Sequence, residues 1–316
     1  MTLATGLRLP VLVAPMFLVS GVEMVVAAAH SGVLGAFPAP NCRTAAELDE
    51  WMAQITGRIG DRPWAVNLIT HSTNQRLADD LDLIAKYRPP VVITALGSPA
   101  PVVDRVHAYG GIVMADVPDV ALARKALAAG ADGLACLATG AGGHTGHLSP
   151  FAFVSAVRQF HRGPLSLGGG IGDGAGVAAA IAAGADLACM GTRFLAADES
   201  LAAADYKAAV IAATIEDIVL SDRVTGTMAS WLKASLQSAG YLDRTSDQPR
   251  RDYGSATDAH RRWRDIWSAG QAVQNIEANE SVASIVAKLS TEFHQVVDRV
   301  RLRSSDFEAQ TARPAF

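Results

Sequence analysis

Short apolar runs and alanine-rich stretches alternate along the first two thirds of the chain. The runs are continuous rather than alternating with polar residues, which is typical of strands buried on both faces of a parallel sheet. They begin about 20 to 30 residues apart, the spacing of a strand–helix unit. The eight predicted strands cover residues 11–14, 33–37, 64–68, 91–94, 111–115, 133–137, 164–168 and 186–190.

Two predicted helix ends have nearly the same sequence. Ala129-Gly130-Ala131-Asp132 and Ala183-Gly184-Ala185-Asp186 each place a glycine where a helix can end, and a strand follows at once. Eight such units predict an α/β fold, a (β/α)8 TIM barrel. An open, doubly wound sheet is the alternative for the same pattern.

The pattern changes after residue 204, which divides the chain into three predicted parts. Residues 1–204 form the barrel, and residues 205–265 form a small, mostly helical second domain over the active site, with helices at 206–215 and 229–238. This domain includes a charged cluster at 243–251, for which a solvated face is favoured over a partner surface. Residues 266–316 return to the barrel through a helix at 282–299.

Composition excludes several classes of protein. Hydrophobic residues make up 50% of the chain and charged residues 18%, which indicates a large buried core. A net charge of −4 makes nucleic acid an improbable partner. The three cysteines lack CxxC spacing, so neither a disulfide framework nor a metal site is predicted. No signal peptide or membrane span is evident, and a cytoplasmic location is expected.

In a barrel, the chemistry is expected where the strands end. Ala14, Pro15 and Met16 follow the first strand, and their backbone either faces a ligand ring or forms an ordinary rigid turn. Asn67 ends the third strand, where its amide either binds the polar edge of a ligand or caps local structure.

The loop after the sixth strand is the most informative part of the chain. It contains Ala141-Gly142-Gly143-His144, in which Gly142 and Gly143 permit close approach to a planar ligand. His144 is expected to titrate near neutrality and to act as a base. His147 is expected to be solvated, because one base suffices.

Two glycine loops follow the seventh and eighth strands. Gly168, Gly169 and Gly170 come after the seventh, and Gly191 and Thr192 after the eighth. In barrels these loops often bind phosphate through amides at a helix N-terminus. The GxGxxA match at Gly170 is weak and lies too late in the chain to open a dinucleotide domain.

The ordered set of motifs resembles the nitronate monooxygenase family, formerly called 2-nitropropane dioxygenases. The set comprises Ala14-Pro15-Met16, Ala141-Gly142-Gly143-His144, Gly168-Gly169-Gly170-Ile171, Met190-Gly191-Thr192-Arg193-Phe194 and Ser268-Ala269-Gly270-Gln271. The resemblance implies an FMN-binding barrel in which these loops hold the cofactor. Asn67 would lie at the polar edge of the flavin, Gln271 would help bind the cofactor, and His144 matches the catalytic histidine.

The resemblance also implies a reaction: oxidation of alkyl nitronates by O2 to a carbonyl compound and nitrite, with His144 as base for neutral nitroalkanes. Two alternatives remain: an NAD(P)H-dependent reductase of a quinone or enoyl thioester, and a non-catalytic flavin- or phosphate-binding barrel. The motifs leave open both the use of NAD(P)H and a homodimer.

Two stretches depart from the family pattern. Leu137-Ala138-Thr139-Gly140 replaces a segment that usually carries polar or charged residues. Asp116 follows the fifth strand, where a basic or small polar residue is common. Because a negative charge near a phosphate is unfavourable, Asp116 is expected to point away from the cofactor.

Overall fold

Eight apolar runs form a closed barrel of parallel strands in the computed structural model, which describes residues 6–241 and 265–311. The described strands are β1 (Val11–Val13), β2 (Leu34–Pro38), β3 (Trp64–Ile69), β4 (Val91–Ala95), β5 (Ile112–Val117), β6 (Gly133–Leu137), β7 (Gly143–His144), β8 (Leu165–Gly168), β9 (Leu187–Met190), β10 (Ile218–Ser221) and β11 (Ala229–Leu232). The barrel order is β1-β2-β3-β4-β5-β6-β8-β9. Leu12 pairs with Leu34 on one side and Cys189 on the other, so the sheet closes and the open-sheet alternative is excluded.

Helices follow the barrel strands and cover their outer face. The described α-helices are α1 (Val22–Ser31), α2 (Ala45–Ile59), α3 (Leu77–Tyr87), α4 (Ala100–His107), α5 (Val120–Ala128), α6 (Pro150–Arg158), α7 (Gly174–Ala182), α8 (Ala204–Ala212), α9 (Lys233–Ser238) and α10 (Val282–Thr311). Thr44, Asp119 and Asp173 begin α2, α5 and α7, each accepting a backbone N–H bond from the first turn. None of the helices described is long and apolar enough to cross a membrane.

The barrel interior is filled by alternate residues of the strands. Leu34 and Ala36 of β2 belong to this inner cluster, as do Met114 of β5 and Ala135 of β6. Residues of opposite parity, such as Val113 and Val117, pack toward the helices instead. Side chains two residues apart on one strand share a face, so Asp116 projects inward above Met114.

The segment after residue 204 adds strands that the sequence pattern did not predict. Residues 206–212 are helical as expected, but residues 229–232 form β11, and only 233–238 are helical. The helix prediction for 229–232 is therefore wrong. β11 pairs with β10 and with β7 of the barrel loop, and these cross-strand bonds outweigh local helix propensity. The predicted cluster at 243–251 lies outside the described residues.

The C-terminal helix packs on the outside of the barrel. α10 packs against α7 and α1, and the chain just before it is tied to the barrel by Glu280. The backbone oxygen of Glu280 accepts a 3.0 Å bond from the Asp198 N–H. Its carboxylate pairs with the buried Arg193 at 2.6 Å and also with Lys288. Arg193 is therefore a structural anchor next to the predicted phosphate loop.

Candidate active site

A cavity of about 1170 Å³ opens where the barrel strands end. Ligand pockets usually measure about 300–1,000 Å³, so this one can hold a cofactor together with a substrate. Its wall includes all but one of the residues predicted from the sequence: Ala14, Pro15, Met16, Asn67, Gly142, Gly143, His144, Gly168, Gly169, Gly170, Gly191 and Thr192. The barrel thus brings together residues that are far apart in the chain.

The loop after β1 is held in shape by two side chains. Ser20 Oγ accepts the Met16 N–H at 3.0 Å and donates to the Ala14 oxygen at 3.1 Å. Asn41 accepts the Leu18 N–H at 2.7 Å and donates to the oxygens of Met16 and Ser20. The Met16 amide therefore has an internal partner, and the loop presents a preformed apolar surface to the cavity.

Asn67 lies at the end of β3 and is almost fully buried, 6% exposed. Its Nδ2 donates to the Ile93 oxygen at 3.1 Å. A side-chain amide has two N–H donors and an acceptor oxygen, so this bond uses only one of its groups. The bond orients the amide on the cavity wall and leaves its other polar groups available there.

His144 lies on a short strand, β7, rather than on a flexible loop. β7 pairs antiparallel with β11, so that His144 faces Ala229 and Gly143 faces Ser230. The Ser230 hydroxyl donates to the Ala141 oxygen at 2.7 Å. The backbone around His144 is thereby fixed by the appended segment. His147 is exposed and does not line the cavity, which agrees with the solvated side chain expected there.

The protonation expected of His144 needs correction. Burial lowers the pKa of its imidazole to about 4, rather than leaving it near neutrality. Desolvation disfavours the charged form of a histidine and is the cause of this shift. His144 is therefore a neutral proton acceptor over the whole physiological pH range, with a conjugate acid that gives up its proton readily.

The glycines of the loop before His144 also allow the C-terminal segment to pack closely against that loop, which the sequence did not reveal. Gly270 packs on this loop so closely that an added Cβ would lie 2.5 Å from the Gly140 oxygen and 2.6 Å from the Gly142 nitrogen. Gln271 N donates to the same Gly140 oxygen at 2.9 Å. The C-terminal return thus clamps the loop. Gln271 is the one predicted cofactor residue that does not line the cavity, and its side chain lies behind Gly140 and Gly170.

The two glycine loops after β8 and β9 form the opposite wall. Gly169 and Gly170 have φ of 143° and 67°, a backbone region that favours glycine. A Cβ at Gly170 would meet only Gln271 Oε1, 3.9 Å away, so this backbone faces open space. Thr192 Oγ1 accepts the Gly270 N–H at 2.9 Å, which leaves its hydroxyl proton for another acceptor.

Two amides at the N-terminus of α7 already have carboxylate partners. The Asp173 carboxylate accepts the Gly176 N–H at 2.7 Å, and Glu292 of α10 accepts the Gly174 N–H at 2.7 Å. Two carboxylates therefore occupy the positive end of the helix, where a phosphate would be repelled.

Asp116 does not point away from the cavity, contrary to expectation. Asp116 lines the cavity, because strand alternation turns its side chain inward on the same face of β5 as Met114. Burial raises the pKa of this carboxyl to about 7, so it is largely uncharged just below neutrality. The raised pKa weakens the electrostatic objection to an inward Asp116, since a protonated acid does not repel a phosphate.

Several residues of the site had no clear sequence signal. Tyr206 and Trp267 stack with ring centroids 5.4 Å apart at the cavity edge. Met228 precedes β11 and also lines the cavity. They come from the segment after residue 204, whose approach to the barrel depends on tertiary contacts. Among the residues described, no group of three or more His, Cys, Asp or Glu side chains is arranged to hold a metal ion.

Comparisons with known proteins agree with this geometry. Residues 69–292 match the sequence profile of the nitronate monooxygenase family. A nitronate monooxygenase of Paraburkholderia phytofirmans is 28% identical over 273 residues, which are 79% of this chain and 74% of that enzyme. The solved structure of FabK from Thermotoga maritima is similar with a TM-score of 0.80 and 25% identity, covering 94% of this chain and 96% of that one.

A second curated relative has a different printed activity. The (3aS,4S,5R,7aS)-5-hydroxy-7a-methyl-1-oxo-octahydro-1H-indene-4-carboxyl-CoA dehydrogenase of Mycobacterium tuberculosis is 30% identical over 236 residues, or 73% of this chain. The match covers 65% of that protein, so the chain spans less than two thirds of its length. Relatives with this degree of similarity therefore differ in substrate.

Proposed function

Because the chain belongs to the nitronate monooxygenase family, we propose that it is an FMN-dependent oxidoreductase that converts alkyl nitronates and O2 to a carbonyl compound and nitrite. The observation that carries the proposal is the position of His144. It lies on the wall of a cavity that is also lined by glycine backbone and by the rigid loop after β1. A planar ring and a small substrate would meet there beside a neutral imidazole.

The residues present fit a flavin mononucleotide. The loop after β1 offers an apolar surface for the ring, and Asn67 offers polar groups for its edge. Backbone at Gly169, Gly170 and Gly191, together with the Thr192 hydroxyl, would hold the phosphate. FMN, when bound, supplies the redox chemistry that takes electrons from the substrate and passes them to O2.

His144 is expected to be a weaker base than a histidine whose pKa lies near neutral pH. Proton abstraction is most efficient when the pKa of the base lies near the working pH. The low pKa of His144 makes it a weak acceptor. A nitronate has already lost its α-proton, whereas a neutral nitroalkane must give one up. The site therefore suits nitronates better, with His144 orienting the anion as a hydrogen-bond partner and accepting a proton only from nitroalkanes.

The test is spectroscopic and then catalytic. The purified full-length protein should be yellow, and in air it should release nitrite from propyl nitronate without NAD(P)H. Nitrite should form more slowly from the neutral nitroalkane at the same concentration. A yellow protein that releases no nitrite from either form would contradict the reaction but leave the flavin site standing.

The extent of the cavity and the activity named for one relative support a second candidate function. The cavity extends from the glycine loops to an apolar region near Tyr206 and Trp267, which could take a bulkier substrate. The mycobacterial relative is named for a carboxyl-CoA substrate. An NAD(P)H-dependent reductase of an enoyl thioester or quinone is the resulting alternative. Anaerobic bleaching of the flavin by NADH or NADPH would favour it, and an unchanged spectrum would argue against it.

A further inference from the structure

Two leucines on the cavity wall have a backbone conformation that leucine rarely adopts. Leu18, in the loop after β1, and Leu96, directly after β4, both have φ of 61°, and both line the cavity. A left-handed backbone brings Cβ close to the following carbonyl oxygen, so it is unfavourable for a bulky residue. The proposed reaction gives neither side chain a role.

A third residue of this kind has an ordinary explanation. Arg88 has φ of 50° where α3 ends, and its N–H donates to the Ile84 oxygen at 2.8 Å. A left-handed residue is common at that position of a helix. Leu18 and Leu96 end no helix. In the part of the chain that the structure describes, the left-handed residues other than glycine that end no helix therefore both lie on the cavity wall.

Neighbouring groups hold both leucines in this conformation. Asn41 Oδ1 accepts the Leu18 N–H at 2.7 Å. Gly97, which follows Leu96, packs so closely on Thr70 that an added Cβ would collide with the Thr70 carbonyl group. Glycine at position 18 or 96 would adopt the same turn more easily, so the turn alone does not account for a leucine there. An unfavourable backbone on a cavity wall instead points to a function of the side chain.

Other large apolar side chains line the same cavity and are exposed at its surface. Leu201, ahead of α8, is 53% exposed, and Met228, just before β11, is 46% exposed. Exposed apolar side chains that share one opening commonly mark a binding site. Arg43 and Lys125 line the cavity too, but they are exposed, so their charged groups can stay in water. The cavity therefore offers an apolar ligand more buried contact than a small nitronate can use.

We propose that Leu18 and Leu96 form an apolar subsite that selects nitronates with a large apolar substituent. The proposal rests on the nitronate oxidation proposed above and names its substrate class. The nitronate group lies beside His144, while the alkyl chain displaces water from the two leucines and extends toward Leu201 and Met228. Leu18 and Leu96 are thus specificity-determining residues that take no part in electron or proton transfer.

The size of the expected effect follows from the hydrophobic effect. Transfer of one methylene group from water to an apolar site strengthens binding by about fourfold. For the full-length holoprotein, kcat/KM should therefore rise from propyl to butyl, pentyl and hexyl nitronate, by up to about fourfold per carbon. Nitrite release in air measures each value.

Leu96→Gly removes the side chain and keeps the turn, because glycine accepts a φ of 61°. It should lower kcat/KM for hexyl nitronate by about tenfold and for propyl nitronate much less, which flattens the series. Leu18→Gly should act in the same way, and it serves as the test if the first variant does not fold. Leu96→Ala should flatten the series equally but unfold at a lower urea concentration than Leu96→Gly, because alanine keeps the unfavourable backbone.

Arg88→Gly is the matched control. It introduces glycine at a left-handed position on an exposed residue outside the cavity, so the whole series should match that of the unchanged protein. FMN content should be the same in all variants, since a loss confined to FMN binding would assign the leucines to the cofactor and overturn the proposal.

The outcomes also separate this proposal from the function on which it rests. Equal kcat/KM for all four nitronates, or an undiminished rise in both glycine variants, would overturn the apolar subsite while leaving nitronate oxidation intact. Absence of nitrite from every nitronate would overturn the proposed function and this proposal together.

Discussion

Burial shifts the pKa values of two side chains on the cavity wall, His144 and Asp116, in opposite directions. His144 loses affinity for its proton, with a pKa of about 4, and Asp116 gains it, with a pKa of about 7. Both effects follow from the same desolvation, because the uncharged form is an imidazole in one case and a carboxylic acid in the other. The cavity is therefore less charged at neutral pH than its residue types suggest.

The variant His144→Asn tests whether His144 acts as a base or only orients the substrate. If His144 accepts the α-proton, kcat/KM for a neutral nitroalkane should fall by about 10²–10⁴-fold. With a preformed nitronate the loss should stay below about tenfold, and FMN content should not change. Steady-state nitrite release measures both values. His147→Asn should match the unchanged protein, and equal losses on both substrates would rule out a base.

Gly270→Ala tests the clamp on the His144 loop. The added methyl would lie 2.5 Å and 2.6 Å from backbone atoms of Gly140 and Gly142, which cannot move aside as a side chain would. We expect a loss of about 1–3 kcal/mol in the free energy of unfolding. The control is Gly57→Ala in α2, where nothing lies within 4 Å. It should gain about 0.5–1 kcal/mol. Urea unfolding measures the change in the free energy of unfolding for each of the two variants.

At the scale of secondary-structure elements, the site depends on a three-stranded sheet outside the barrel. β7 is only two residues long and gains its order from β11, which belongs to the segment after residue 204. Isolated strands of this length are not stable on their own. The loop that carries His144 is thus completed by a part of the chain that contributes no strand to the barrel.

Ser230→Ala removes one specific bond between these elements. The 2.7 Å bond from the buried Ser230 hydroxyl to the Ala141 oxygen is lost, and that oxygen loses its partner. Stability should fall by about 1–3 kcal/mol. We expect kcat/KM to fall while the FMN dissociation constant stays constant, because the β8 and β9 loops are untouched. Ser238→Ala, exposed at the end of α9, should stay within about 0.5 kcal/mol.

At the scale of the whole molecule, the C-terminal return closes the structure around the site. Gly270 and Gln271 hold the His144 loop, Glu280 holds Arg193, and Glu292 caps α7. These contacts join residues about 80 to 130 positions apart in the chain. The barrel mouth is therefore shaped from both sides, by the strand loops and by the segment that returns over them.

Glu280→Gln tests this closure, because Arg193 is only 7% exposed and loses its charged partner. Stability should fall by about 3–5 kcal/mol. Burial opposes ionisation of Glu280, but hydrogen bonds from Lys288 and Arg193 outweigh it and lower the pKa of the carboxyl. Its stabilisation is therefore present above the ordinary pKa of 4.5 and is lost as the pH falls through the lowered value.

Thermal unfolding between about pH 3 and pH 7 checks the Glu280 prediction. The difference between the unchanged protein and the variant should shrink as the pH falls. Lys288→Gln is the control, since Lys288 is 58% exposed and its pair should contribute about 1 kcal/mol or less. A Glu280 variant as stable as this control would contradict the role assigned to the buried pair.

The sequence by itself determined the barrel and the strand-end loops that contribute to the cavity wall. Strands buried on both faces leave continuous apolar runs, and their order along the chain places the following loops at one end. For this reason Asn67, His144 and the glycine loops could be assigned to one site without coordinates. The eight strands and the closed barrel are confirmed.

Only the tertiary structure decided the remaining features, because they depend on burial and on distant partners. Local sequence cannot show that Asp116 is desolvated, that His144 has a low pKa, or that carboxylates cap α7. It also favoured a helix where β11 pairs with β7, since the partner strand lies 85 residues away. The histidine at the centre of the site is therefore identified by its loop but positioned and tuned by the fold.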